Sequence, residues 1–122
     1  MTFYQSVLGG DLTISTFGEA GYTEGVTDVD QVMHAMLVTP DGLTLMAADT
    51  PEGMPYNPGD NISISLSGPA DEEAGLRGVF ERLSEGATPG VPLEKAPWGD
   101  HFGMLTDRFG IGWMVNIAGE AA

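Results

Sequence analysis

A chain of 122 residues with 42% hydrophobic and 18% charged residues has the profile of a single folded domain with one ordinary core. Eighteen Asp and Glu against four Lys and Arg leave a net charge of −14, which repels phosphate backbones and anionic lipid surfaces and argues against nucleic-acid and membrane partners. No apolar run approaches the roughly 20 residues that cross a bilayer, the opening MTFYQSVLGG has neither the basic nor the long apolar region of a signal peptide, and the chain has no cysteine for disulfides, thiolate chemistry or Cys-type zinc sites. A cytoplasmic protein is expected. The acidity serves solubility or the attraction of a cationic small molecule, the first being the plainer use.

In chain order, Phe3, Tyr4, Val7 and Leu8 recur at helical spacing and Gly9-Gly10 ends the run, so residues 2–10 read as the back half of a helix. Strands are expected over 12–17, 32–39 and 43–48, with Pro40-Asp41-Gly42 as a turn in which Pro presets φ and Gly accepts a positive φ. Residues 18–31 and 50–61, rich in Gly, Pro, Asp and Glu, read as long loops. A strand over 62–67 precedes the best helix, 71–85, where Leu76, Val79, Phe80 and Leu83 form one apolar stripe. Asp71, Glu72 and Glu73 sit at its positive end, and Gly86 stands where a glycine stops a helix. Gly75 and Gly78 weaken it by about 1 kcal/mol each relative to Ala, so it depends on packing against a sheet. Strands over 91–93, 102–106 and 112–117 complete the chain.

The stretch HAMLVTPDGLTLMAAD (34–49) repeats in HFGMLTDRFGIGWMVNI (101–117). Aligned by eye, His34 meets His101, Thr39 meets Thr106, Gly42 meets Gly110, Leu45 meets Trp113 and Met46 meets Met114, with one residue inserted in the second turn. Each copy follows a helix that ends in glycine. The second copy is strand, helix, then three strands. The first begins at the half-helix, so its opening strand is missing from the sequence: either the true start lies upstream of Met1, or the module lacks that strand and leaves an unpaired sheet edge that another chain could cover.

Two such modules resemble the vicinal oxygen chelate superfamily of glyoxalase, bleomycin-resistance and dioxygenase proteins, and in particular its PhnB-like branch. FYQSVLGGDL is similar to that branch's first helix and following strand, HAMLVTPDGLTLMAAD to its hairpin ending in Asp, and WGDHFGMLTDRFGIGWMVNI to its closing signature. The resemblance covers nearly the whole chain. It implies an α+β fold of two βαβββ modules, residues 1–49 (lacking the first strand) and 62–117, whose curved mixed sheets enclose a cavity. It also implies a homodimer, in which a second copy is able to cover the open edge. Metal-dependent members place His, Gln or Glu on the first and last strand of each module. Here the last-strand positions fall on Met46 and Met114, and the strand over 62–67 carries no His or Glu. Thioether sulfur suits copper(I), not Mg, Mn, Ni, Zn or Fe(II). No metal or other cofactor is therefore expected.

His34 and His101 are the only histidines: either polar groups at a cavity that titrate near neutrality, or residues at strand starts on the sheet's edge, the second reading being favoured. Asp49 reads as a cap on the following Thr-Pro turn before it reads as a catalytic carboxylate. Trp113 is core or cavity wall; Trp98, between Pro97 and Gly99, is more loop-like. Asp107-Arg108 reads as a turn with a surface charge. The candidate cavity residues are thus His34, Met46, Asp49, Trp98, His101, Trp113 and Met114, with no catalytic residue assigned. No Gly-x-Ser-x-Gly elbow, P-loop or Gly-x-Gly-x-x-Gly motif is present, so the methyltransferase description often attached to the PhnB-like branch finds no nucleotide-cofactor loop. The leading expectation is a protein that binds a small organic ligand without a catalytic metal. The rival is a metal-dependent lyase, isomerase or dioxygenase using His34, His101 and a carboxylate.

Overall fold

The computed structural model describes residues 1–119. It divides into two compact units, Met1–Asn57 and the residues from Pro58 onward. The first contains helix α1 (Thr2–Leu8) and strands β1 (Asp11–Thr16), β2 (Val32–Val38) and β3 (Thr44–Ala47), in an antiparallel sheet of order β1-β2-β3. Gly9 and Gly10 turn the chain from α1 into β1 with φ of +75° and +101°. Gly10 also packs so closely on β2 that a Cβ there would overlap the Val38 carbonyl oxygen. One face of this sheet is covered. Ala35 and Leu37 on β2 are buried, Ile14 and Leu12 stand opposite them on β1, and Val7 of α1 is buried.

The second unit runs β4 (Ser63–Gly68), a 3-10 turn (Ala70–Glu72), α2 (Glu73–Leu83), β5 (Thr88–Lys95), β6 (His101–Thr106) and β7 (Gly112–Ile117). Its sheet order is β4-β7-β6-β5, with β4 and β7 parallel and the other pairs antiparallel. This is the βαβββ module anticipated from the repeat. Burial alternates residue by residue along β7 because one face meets the core, formed by Trp113, Val115 and Ile117 with Leu105 and Leu83. The first unit shows the helix and three strands of the same plan, and among the described residues no strand pairs with the outer side of β3.

Two elements differ from expectation. The helix expected over 71–85 opens as a 3-10 turn and is α-helical only over Glu73–Leu83. β5 is longer than 91–93 despite Pro89 and Pro92. It is an edge strand with two register shifts, which is where a sheet tolerates residues that cannot donate to a ladder.

The repeat is real but its first half is shifted by one residue. In each hairpin the turn is closed in the same way: Thr39 N–H donates to Leu43 C=O and Gly42 N–H to Thr39 C=O, as Asp107 N–H donates to Ile111 C=O and Gly110 N–H to Asp107 C=O. In both, the first residue's side chain accepts the N–H four residues on, Thr39 Oγ1 from Leu43 and Asp107 Oδ1 from Ile111, at 3.0 Å each. The turns have equal length, and nothing is inserted. Thr39 therefore corresponds to Asp107, Met36 to Met104, and His34 to Phe102. The matches after the turn, Leu45 with Trp113 and Met46 with Met114, stand. His34 and His101 are not equivalent.

Candidate functional site

Strand alternation assigns each candidate to a face. On β2 and β3 the covered face takes Ala35, Leu37, Leu45 and Ala47, so His34, Met36, Val38, Thr44 and Met46 point to the other, open face. Met36 and Met46 are directly opposite across the ladder. Met46 is 59% exposed, and His34 is exposed as well. In the second unit the covered face takes Gly103 and Leu105 on β6 and Trp113, Val115 and Ile117 on β7. Phe102, Met104, Met114 and Asn116 therefore lie on its open face, with Ser63, Ser65 and Ser67 of β4 beside them. Met104 and Met114 are directly opposite, the counterpart of Met36 and Met46. Trp98, 64% exposed in the turn before β6, stands edge-on to Phe102 with ring centroids 5.8 Å apart.

Three candidates lie off these open faces. Trp113 is 2% exposed and belongs to the core; its indole N–H donates to Asp107 Oδ2 at 2.9 Å. Asp107 is correspondingly buried and anchors the turn from inside, which corrects its reading as a surface charge. His101 is on the α2 side of its sheet, in a cleft shared with Glu73 and Lys95, and so on the opposite kind of face from His34. Asp49 caps no Thr-Pro turn in the described contacts. Its Oδ2 accepts the Val32 N–H at 2.7 Å, and its own N–H donates to Val32 C=O, which clips the end of β3 to the start of β2. His34, Met46 and Met114 lie on the open faces, and Trp98 lies in the turn before β6, against Phe102. Sequence reasoning missed Met36, Phe102, Met104 and Asn116. The signal was present: period-2 alternation from Met46 and Met114 across correctly registered hairpins finds all four.

The donor set does not fit a divalent ion such as Mg, Mn, Ni, Zn or Fe(II). Among the described residues no three His, Cys, Asp or Glu side chains are placed to hold a metal ion. The last-strand positions present thioethers, which are poor ligands for such ions.

Electrostatics at the rim is structural. The Gly119 N–H (2.9 Å) and the Asn116 amide (3.1 Å) hold the Asp100 carboxyl below the ordinary aspartate range. The Thr27 hydroxyl, followed by the Asp28 and Thr27 N–H groups, does the same for Glu52. Both groups therefore bind protons less readily folded than unfolded. Their contributions are full above the ordinary carboxylate range and are lost as pH falls through the lowered folded values. Unfolding midpoints in urea should fall over that acid window, and Asp100→Asn should flatten the fall; an unchanged profile in the variant would show that Asp100 is not one of its sources.

Among the described residues no helix is long and apolar enough to cross a membrane. No curated protein matches the chain. Of solved structures, protein PA1353 from Pseudomonas aeruginosa is 36% identical with a TM-score of 0.80, over 98% of this chain and 86% of that one. A PhnB protein from Bacillus cereus, described as a putative 3-demethylubiquinone-9 3-methyltransferase, is 23% identical with a TM-score of 0.71, over 97% and 88%. A glyoxylase/bleomycin resistance protein/dioxygenase domain from Frankia sp. EAN1pec is 21% identical with a TM-score of 0.59, over 99% and 82%. These last two share the fold. The family model of the glyoxalase/bleomycin resistance protein/dioxygenase superfamily matches residues 1–115. With the βαβββ module, its strand-deficient counterpart and the repeated hairpins, that match makes the chain a member of the glyoxalase/bleomycin resistance protein/dioxygenase superfamily.

Proposed function

We propose that this protein binds a small organic ligand on the open faces of its sheets, without a catalytic divalent metal. One observation carries the reading: the same cross-strand methionine pair, Met36–Met46 and Met104–Met114, recurs at equivalent positions of the two hairpins. Thioether side chains are flexible and polarizable, and suit an apolar ligand of adaptable shape better than a hard metal ion. Trp98 against Phe102 adds an aromatic edge beside the second pair, and Asn116 and the β4 serines supply hydrogen-bonding groups. The net charge of −14 favours a cationic ligand, since a cation over an aromatic face gains from the ring quadrupole and from the surrounding field. Residues 1–57 contain no Lys or Arg to oppose it. A cytoplasmic location is part of the same proposal.

The test is a panel of cationic glycopeptides and flat cationic aromatics, read by tryptophan quenching and by thermal shift. Trp98 is exposed and should report binding, while buried Trp113 should not. Met114→Lys should weaken the best ligand by roughly tenfold, about 1.4 kcal/mol, through charge repulsion on the open face. Added Ni, Zn, Mn or Fe(II) should leave the melting temperature unchanged. Flat responses across the panel, or metal-dependent stabilisation reversed by a chelator, would sink the reading.

A further inference from the structure

On the α2 side of the second sheet, away from its open face, one cleft gathers three titratable side chains: Glu73 of α2, Lys95 of β5 and His101 of β6. Its volume of about 310 Å³ is that of a small-molecule site, and the rest of its lining is alanine and glycine, so no large side chain fills it. Each of the three is fixed in place. Lys95 and His101 are directly opposite across the β5–β6 ladder. The turn between them is closed by Ala96 N–H to Asp100 C=O at 2.7 Å and by Gly99 N–H to Ala96 C=O at 2.9 Å. Glu73 Oε2 accepts from Arg77 Nε–H at 2.9 Å, and the same guanidinium donates to the Leu93 carbonyl at 3.3 Å, which ties the carboxylate to β5. The Arg77 hydrogen bond holds the Glu73 carboxyl below the ordinary glutamate range, so it is an anion at neutral pH. These groups keep bonding capacity to spare. Among the described residues the Lys95 ammonium has no hydrogen bond or ion pair, the His101 ring has no hydrogen bond, and Glu73 Oε1 accepts none. The neighbouring Asp100, by contrast, has both oxygens engaged, by the Asn116 amide and the Gly119 N–H.

We propose that this cleft binds a small zwitterion of the amino-acid type, its carboxylate between the Lys95 ammonium and the His101 ring and its ammonium on Glu73 Oε1. The chemistry of each group selects one pole. Lys95 offers a carboxylate three donors and a full charge, and the imidazole adds a ring N–H. An ionised Glu73 is acceptor-only and takes an ammonium N–H. The charges disfavour simpler ligands. At −14 the chain repels a lone anion, whereas a ligand without net charge feels no such force. A lone cation satisfies Glu73 but meets the like charge of Lys95 and leaves that ammonium without a carboxylate. The cleft is on the opposite side of the sheet from Phe102, Met104 and Met114, so it is separate from the open-face site and binds independently of it.

The experiment is NMR of the two histidine rings during titration with glycine and alanine, with acetate and methylammonium as probes of a single charge. His34→Gln assigns the two sets of signals. Glycine and alanine are expected to shift the His101 signals saturably and to leave those of His34, on the open face of the first sheet, unmoved. Acetate and methylammonium should each bind at least ~10-fold more weakly than glycine. Lys95→Gln and Glu73→Gln should each weaken glycine binding by at least ~10-fold, and Met114→Lys, on the open face, should leave it unchanged. Circular dichroism and melting check that the variants fold; if Glu73→Gln does not, Lys95→Gln on the exposed edge strand decides. No saturable shift at His101, glycine binding that survives Lys95→Gln, or acetate or methylammonium binding as tightly as glycine would overturn the proposal.

Discussion

Replacing Asp107 by alanine is expected to lower the stability to unfolding by about 3 kcal/mol, although the residue lies in a hairpin turn. The side chain is 4% exposed and accepts from three donors. Oδ1 takes the N–H groups of Phe109 and Ile111 at 2.8 and 3.0 Å, and Oδ2 takes the Trp113 indole N–H at 2.9 Å. Truncation leaves those donors without this acceptor, and a buried donor left unpaired costs about 1–3 kcal/mol. Water can reach the turn amides more easily than the indole, so the sum stays below three full penalties. Asp107→Asn keeps the shape but turns an amide NH2 toward donors on one side, and should recover less than half of the loss. Urea unfolding followed by tryptophan fluorescence and circular dichroism measures both. A cost below ~1 kcal/mol for the alanine variant would mean that the anchor is dispensable and that core packing alone seats Trp113.

Gly10→Ala is expected to cost a similar amount, about 3–5 kcal/mol, for a different reason. At φ +101° an alanine is strained by roughly 1–3 kcal/mol. Its Cβ must also displace β2, because the space is already held by the Val38 carbonyl and the Thr39 Cα. Backbone cannot swing aside as a flexible side chain can, so the overpacking cost adds to the strain. Gly25→Ala separates the two effects. Gly25 has φ +76° with open space around the missing Cβ, and it should lose only the conformational part, about 1 kcal/mol. Chemical denaturation of both variants gives the comparison. Equal losses would show that close approach to β2 plays no part at Gly10.

Much of the fold was legible because it rests on local signals. The apolar stripe of Leu76, Val79, Phe80 and Leu83 and the acidic start of α2 specify a helix. The alternation Trp113, Val115, Ile117 specifies a strand with one buried face. The repeat of a glycine-ended helix and a hairpin specifies the module. The candidate site was less legible. Met46, Met114 and His34 lie on open faces, and His101 occupies a position different from that of His34, which the repeat read in the sequence makes equivalent. The cause is a single residue of register. Residue similarity pairs Thr39 with Thr106, whereas the hydrogen bonds pair Thr39 with Asp107. A one-residue slip moves every side chain of a strand to the opposite face.

Composition, periodicity and the internal repeat thus determined the α+β class, the modular order and the absence of His, Gln or Glu at Met46 and Met114, while the resemblance of three motifs pointed to the family. They could do so because each depends on residue type and local spacing. Tertiary structure decided which face each residue serves. It did so through groups whose roles depend on distant partners: Thr39 and Asp107 closing equal turns, Asp107 reaching the Trp113 indole, Asp49 clipping β2, and Gly10 pressed against Val38. Thr39 and Asp107 are polar residues in turns, and in the sequence nothing distinguishes them from surface positions. Only the folded chain brings an indole or a backbone amide within hydrogen-bond distance, and that contact sets the register from which the open faces and their methionine pairs follow.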